Sequence, residues 1–220
     1  MRKFFGLMLF ALCCAGAEPL YETSFARGQW NPAEWKMLKN ARSGYVGTWV
    51  QQDDRIVNLV PQGADIGSSW GTFTGMLLKR TFTGDLVIEA ECGFEPRMAP
   101  GILIAPAPPP DEPEVTSLGE FFEVILYDHG FNCWHHYGEN GVRKWYNAAK
   151  LLEKNLFAPG VPHTWTVKLF RRAGRCFLEV SGGGRTLGVC LPQMFSGDCR
   201  IGIAASEGTD FFRKLKISRP

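Results

Sequence analysis

Apart from one ambiguous stretch, Val142–Leu152, the chain keeps no convincing helical period beyond its first residues. Short runs rich in Val, Ile, Phe, Trp and Thr recur instead, parted by Gly, Pro, Asn and Asp. That punctuation restricts the fold to an all-β sandwich or barrel of antiparallel strands. Strands are expected over Leu20–Phe25, Thr48–Gln52, Arg55–Val60, Thr74–Thr81, Asp85–Cys92, Gly101–Ala105, His163–Arg171, Arg175–Ser181, Thr186–Leu191, Arg200–Ala205 and Phe211–Ile217. Within Asp85–Cys92, Leu86, Ile88, Ala90 and Cys92 share one face and Val87, Glu89 and Glu91 the other, so one face is buried and one wetter. Gln29–Met37 reads as a loop or single helical turn, Gly63–Gly71 as a polar loop, and Pro106–Pro113 as a polyproline-like loop over the sheet. Val142–Leu152 fits a helix or a strand. No internal repeat or second domain is visible.

The first residues stand outside this pattern. Arg2 and Lys3 precede an apolar run from Phe4 to Gly16, and Ala15-Gly16-Ala17 supplies the small residues a signal peptidase needs. Residues 1–17 therefore read as a signal peptide and 18–220 as one exported domain, secreted or periplasmic. The run is short for a membrane span, so no transmembrane segment is expected after cleavage. Cys13 and Cys14 leave a lipoprotein as the lesser alternative. Without the leader, the 24 basic residues fall by two to match the 22 acidic ones. The absence of a basic patch argues against nucleic acid as a partner. Of seven cysteines, five follow the leader. Cys176 and Cys190 flank the turn Ser181–Arg185, and a hairpin centred on Gly183 sets them opposite each other. A disulfide and two buried free thiols are both open there. No zinc spacing is present.

The chemically densest stretch is Gly119–Tyr137, GEFFEVILYDHGFNCWHHY, with three carboxylates and three of the four histidines. Asp128-His129-Gly130 suits a three-residue hairpin loop with glycine in the left-handed position. That register pairs Tyr127 with Phe131, Ile125 with Cys133, and Glu123 with His135. Glu123 and His135 then share the face opposite Phe122, Val124 and Leu126, while Trp134 and His136 turn toward the core side. Glu120 reads as a strand-end charge. A His135–His136 metal pair is poorly placed, since adjacent strand residues face opposite sides.

The closing stretch carries a resemblance. His163–Lys168, Arg175–Val180, Gly182–Gly184, Ile201–Ala205 and Phe211–Ile217 follow the order seen in the C-terminal half of concanavalin A-like jelly rolls. Glu123-Val124-Ile125-Leu126-Tyr127-Asp128 resembles the Glu-x-Gln-x-x-Asp stretch of the 3-keto-disaccharide hydrolase-like family of that fold, with Ile125 in place of the Gln. The order of parts is also similar to the YesU-like family of bacterial polysaccharide degradation. The Glu-x-Asp-x-x-Glu motif of laminarinase-type glucanases is absent. The resemblance implies a jelly roll whose groove holds carbohydrate. A structural calcium near Asp210 belongs to the same implication, although one carboxylate is a thin ligand set for it; no other cofactor or metal is expected.

Three functions follow as expectations. The first is glycoside cleavage, with Glu123 as general acid or base and His135 or Asp128 assisting; a lone Glu–His pair departs from the usual two carboxylates. The second is a non-catalytic glycan-binding module. Trp70, Trp145 and Tyr146 supply rings that stack on sugar faces, and Arg143 a donor for hydroxyls. The third is a surface interaction domain with no small ligand. Trp165, alternating with Val167 and Leu169, is assigned to the core.

Overall fold

The computed structural model describes residues 19–38, 47–60, 62–63, 73–95, 99–107, 119–140, 142–191 and 197–220. The expected leader and Trp70 lie outside them. Among the described residues no helix is long and apolar enough to cross a membrane.

Among the described residues fifteen strands form two antiparallel sheets. In chain order they are β1 (Pro19–Ser24), β2 (Trp35–Leu38), β3 (Thr48–Gln51), β4 (Ile56–Leu59), β5 (Thr74–Leu78), β6 (Leu86–Phe94), β7 (Pro100–Pro106) and β8 (Phe121–Tyr127). There follow β9 (Gly130–Glu139), β10 (Val142–Leu152), β11 (His163–Arg172), β12 (Arg175–Gly182), β13 (Arg185–Leu191), β14 (Cys199–Ala205) and β15 (Asp210–Ser218). The first sheet runs β13-β12-β11-β6-β15-β4-β3, with β1 also on β15. The second runs β10-β9-β8-β7-β14-β5-β2. Two such sheets packed face to face make a jelly-roll sandwich.

The alternation read in the sequence builds the core. Leu86, Ile88, Ala90 and Cys92 face inward with Trp165, Val167 and Leu169, against Ile102, Ile104, Phe122, Val124 and Leu126 of the second sheet. On the outer face of the first sheet Glu89 and Glu91 pair with Lys216 and Arg213 at 3.4 Å each. The second sheet is apolar on both sides. Leu38, Phe73, Leu77, Leu103, Ala105, Phe121 and Ala204 form a separate cluster on its outer face. Double burial explains why Gly101–Ala105 reads as a continuous apolar run rather than an alternating one. Its packing leaves no room for extra atoms: a Cβ on Gly202 would strike the Met76 carbonyl oxygen on neighbouring β5.

Three local readings are settled or corrected. Val142–Leu152 is a strand, β10, paired along β9 with a bulge between Asn147 and Ala149. Gln29–Met37, read as a loop or single helical turn, does hold a 3-10 turn at Pro32–Glu34, capped by Asn31, but it continues directly into a strand, β2, which was not expected. The β12–β13 turn holds only Gly183 and Gly184, both at positive φ, with Gly182 opposite Arg185. Cys176 therefore pairs with Leu191, and Cys190 with Phe177. The two sulfurs sit on opposite faces, one buried and one exposed, so this hairpin does not bring them together. Burial pushes the Cys133 and Cys199 thiols up to about 12, which leaves them protonated and unreactive at neutral pH.

Candidate functional site

The β8–β9 hairpin turns on two residues, Asp128 and His129, with Tyr127 opposite Gly130. Gly130 takes φ 136° as the first residue of β9 rather than as the last of the loop. A loop one residue shorter than expected slides the register by one, which sends every paired side chain to the other face. Glu123 lies opposite Trp134, and Phe122 opposite His135. The expected Glu123–His135 pair does not form.

Two Glu–His pairs form instead, on opposite faces of the same hairpin. On the outer face, His136 Nε2 lies 3.1 Å from Glu123 Oε2. Its ring stacks on Phe121, with centroids 4.3 Å apart and 3° between planes. Both members are buried, Glu123 to 4% exposure and His136 to 1%. On the inner face, His135 Nε2 lies 2.8 Å from Glu120 Oε1, and its ring stacks on Phe122 at 4.4 Å. A side chain between two aromatic strands is thus fixed by stacking from one direction and by a carboxylate from another.

The outer-face pair opens onto a cavity of about 300 Å³. Ile125, Tyr127, Asn132, Trp134 and Trp145 line it from the hairpin side. Phe73 and Ala99, just before β5 and β7, line it with Ser206 and Glu207 of the β14–β15 turn. Trp145 lies opposite His136 in the β9–β10 ladder and is 45% exposed. Arg143, on the same face of β10, holds its guanidinium 6.0 Å from the Phe121 ring centroid. The cavity combines a buried acid–imidazole floor, two indoles and an apolar wall, the composition of a small-ligand site.

The remaining sequence candidates separate from this centre. His135 and Tyr146 face the other side, where an open cleft is lined by Glu120, Tyr137 and Tyr146; Trp145 and Tyr146 therefore line different cavities. Asp128 stays in the turn, 3.1 Å from His129, and its carbonyl accepts a bond from the Phe157 amide. Trp134, His136, Asn132 and Glu207 are site residues that the sequence reading missed. The signal for the first three was the alternative two-residue turn in YDHGF. Among the described residues, no three His, Cys, Asp or Glu side chains are grouped to hold a metal ion.

Asp210 bonds to Ser206, one of the residues that line the cavity. It is fully buried, and its Oδ2 accepts from the Ser206 amide at 3.0 Å. Burial pushes its carboxyl well above the ordinary 3.8. The folded protein therefore keeps a proton that the unfolded chain releases, and stability falls as pH rises from 3.8 toward the folded-state value. The steepest slope is about 1.4 kcal/mol per pH unit. Asp210→Asn keeps an acceptor for Ser206 and has no proton to lose. Urea unfolding of this variant is expected to show a flatter pH dependence above pH ~4 than the wild type; parallel slopes would remove Asp210 as the cause.

No protein-family model matches the sequence, and no curated protein matches it. Solved structures do match the fold. A Bacillus subtilis protein of unknown function with a galectin-like fold superposes with TM-score 0.61 and 13% identity, over 93% of this chain and 96% of that one. A β-porphyranase from the human gut bacterium Bacteroides plebeius gives TM-score 0.60 and 11% identity, over 90% and 89%. The carbohydrate-binding module CBM66 of Bacillus subtilis gives 0.55 and 10%, over 84% and 95%. At such identities the likeness bears on architecture alone, and with the two antiparallel sheets it shows a jelly-roll β-sandwich fold.

Proposed function

We propose that the protein is an exported, carbohydrate-active jelly roll that cleaves a glycosidic bond of a poly- or oligosaccharide held in the outer-face cavity. The observation that carries this reading is the Glu123–His136 pair buried beside Trp134 and Trp145 on one cavity wall. The indoles offer flat apolar surfaces for sugar faces. Asn132 and the Glu–His pair offer donors and acceptors for hydroxyls. A carboxylate bonded to an imidazole is equipped to exchange a proton with a reacting oxygen. The β-porphyranase and CBM66 show that this architecture accommodates both a glycan-cleaving enzyme and a carbohydrate-binding module.

A non-catalytic glycan-binding module is the second reading, favoured by the exposed indole of Trp145 at the cavity wall. Turnover separates the two. Wild-type protein is incubated with a polysaccharide panel, and new reducing ends are measured beside Glu123→Gln. Release by the wild type and its loss in the variant are expected; retention on a polysaccharide without release supports the binding module instead.

A further inference from the structure

A hydrolase with one carboxylate at its centre lacks either a proton donor or a base, since glycoside cleavage uses two carboxyl groups flanking the scissile bond. The sequence places no second acid near Glu123 on its own strand at the required face: Glu120 points inward to His135. The cavity supplies one from elsewhere. Glu207, in the turn between β14 and β15, lines the same cavity as Glu123 and Trp145.

The backbone at Glu207 is held in an uncommon conformation. Its φ is 63°, in the left-handed region that side-chain-bearing residues seldom occupy. Such a conformation persists where the surroundings impose it, and it clusters at functional sites. Here the surroundings are buried polar groups. Asp210 Oδ2 accepts from the Ser206 amide, and Asn58 Oδ1 accepts from the Asp210 amide at 2.7 Å. Asn58 Nδ2 donates to the Gly208 carbonyl at 2.8 Å. The Ser206 carbonyl accepts from the Ala99 amide at 2.6 Å. Bonds on both sides of Glu207 thus fix the turn, and two of the groups making them, Asn58 and Asp210, are at most 2% exposed.

We propose that Glu207 is the second catalytic carboxyl of the site, the proton donor to the leaving oxygen, with Asp210 and Asn58 as its positioning residues. The assignment rests on the hydrolase reading above. In the step, the Glu207 O–H proton passes to the glycosidic oxygen as the bond from that oxygen to the anomeric carbon breaks. Its electron pair stays on the departing oxygen. Glu123 takes a proton from a water whose oxygen bonds the anomeric carbon. One water is consumed and two sugar ends result. Glu207, half-buried at the turn, regains a proton from solvent, and Glu123 releases its own by way of His136.

Leaving-group dependence tests the assignment, because a misplaced or weakened fold slows all substrates alike. Wild type and Glu207→Gln are compared on paired dinitrophenyl and methyl glycosides of glucose, galactose, xylose and fructose. Dinitrophenolate departs without a proton, so the variant is expected to remain within about tenfold of the wild type on that substrate. On the methyl glycoside it is expected to lose about 10²-fold or more. Equal losses on both, or no loss on either, overturn Glu207 as the donor and leave the hydrolase reading standing. A wild type that turns over no member of the panel, nor any polysaccharide, overturns both.

Discussion

Glu123→Gln is expected to lower turnover by about 10²–10⁴-fold, the range a positioned general acid or base supplies, with saccharide binding retained. Gln preserves the shape of the side chain and keeps an oxygen to accept from His136, 3.1 Å away in the wild type. It cannot take up a proton. The substitution therefore separates chemistry from architecture, which truncation does not: Glu123→Ala takes the carboxylate from the buried His136 Nε2, and removing one partner of a buried hydrogen bond costs about 1–3 kcal/mol. Steady-state rates on a cleaved glycan, with thermal unfolding as the control, check the result. Turnover within about threefold of the wild type would remove Glu123 from the acid–base chemistry.

Trp165→Ala is expected to cost about 3–5 kcal/mol of stability, a large part of the roughly 5–15 kcal/mol available to a domain. Trp165 is 1% exposed at the inner face of β11. Its ring stacks on Phe131 with centroids 5.9 Å apart, and its indole Nε1–H donates to Cys92 Sγ at 3.1 Å. Truncation opens a void between the sheets and leaves that sulfur without its donor. Trp145→Ala, at a 45% exposed position, is the matched control and is expected to stay within about 0.5 kcal/mol of the wild type. Urea denaturation measures both. A loss below about 1 kcal/mol for Trp165→Ala would mean that the inter-sheet core repacks freely around this position.

The contrast between those two tryptophans marks how far the sequence was legible. Trp165 was assigned from strict alternation with Val167 and Leu169, and alternation is a local property that packing enforces directly. The strands, the antiparallel sandwich and the wet face bearing Glu89 and Glu91 followed from the same rule. β2 was missed because it is four residues long and starts immediately after a capped turn at Pro32. The hairpin register was missed for a different reason. Asp128-His129-Gly130 accommodates a two- or a three-residue loop, and the choice reverses which of His135 and His136 meets Glu123. Composition cannot decide it. The apolar cluster beneath the outer face, with Phe121 stacked under His136, favours the shorter turn, and that cluster is tertiary.

Glu207 lay beyond local reading altogether. Ser206–Asp210 reads as a turn before the last strand, and nothing in that turn points to Glu123. The two line one cavity because β14 lies in the same sheet as β8, one strand removed across β7. The buried Asn58 and Asp210 that hold the turn come from β4 and β15 of the other sheet. Catalytic candidates brought together by topology become visible only when sheet order is known.

The central claim is that a saccharide occupies the outer-face cavity. Its most direct measurement is a proton–nitrogen correlation spectrum of the tryptophan indoles, recorded while cello-, laminari-, xylo- and agaro-oligosaccharides are added one at a time to Glu123→Gln. At least one saccharide is expected to shift the Trp134 and Trp145 signals and leave those of Trp49 and Trp165, both in the core, in place. Trp134 and Trp145 unmoved by every saccharide, or perturbation confined to the Tyr137–Tyr146 side of the hairpin, would contradict the account.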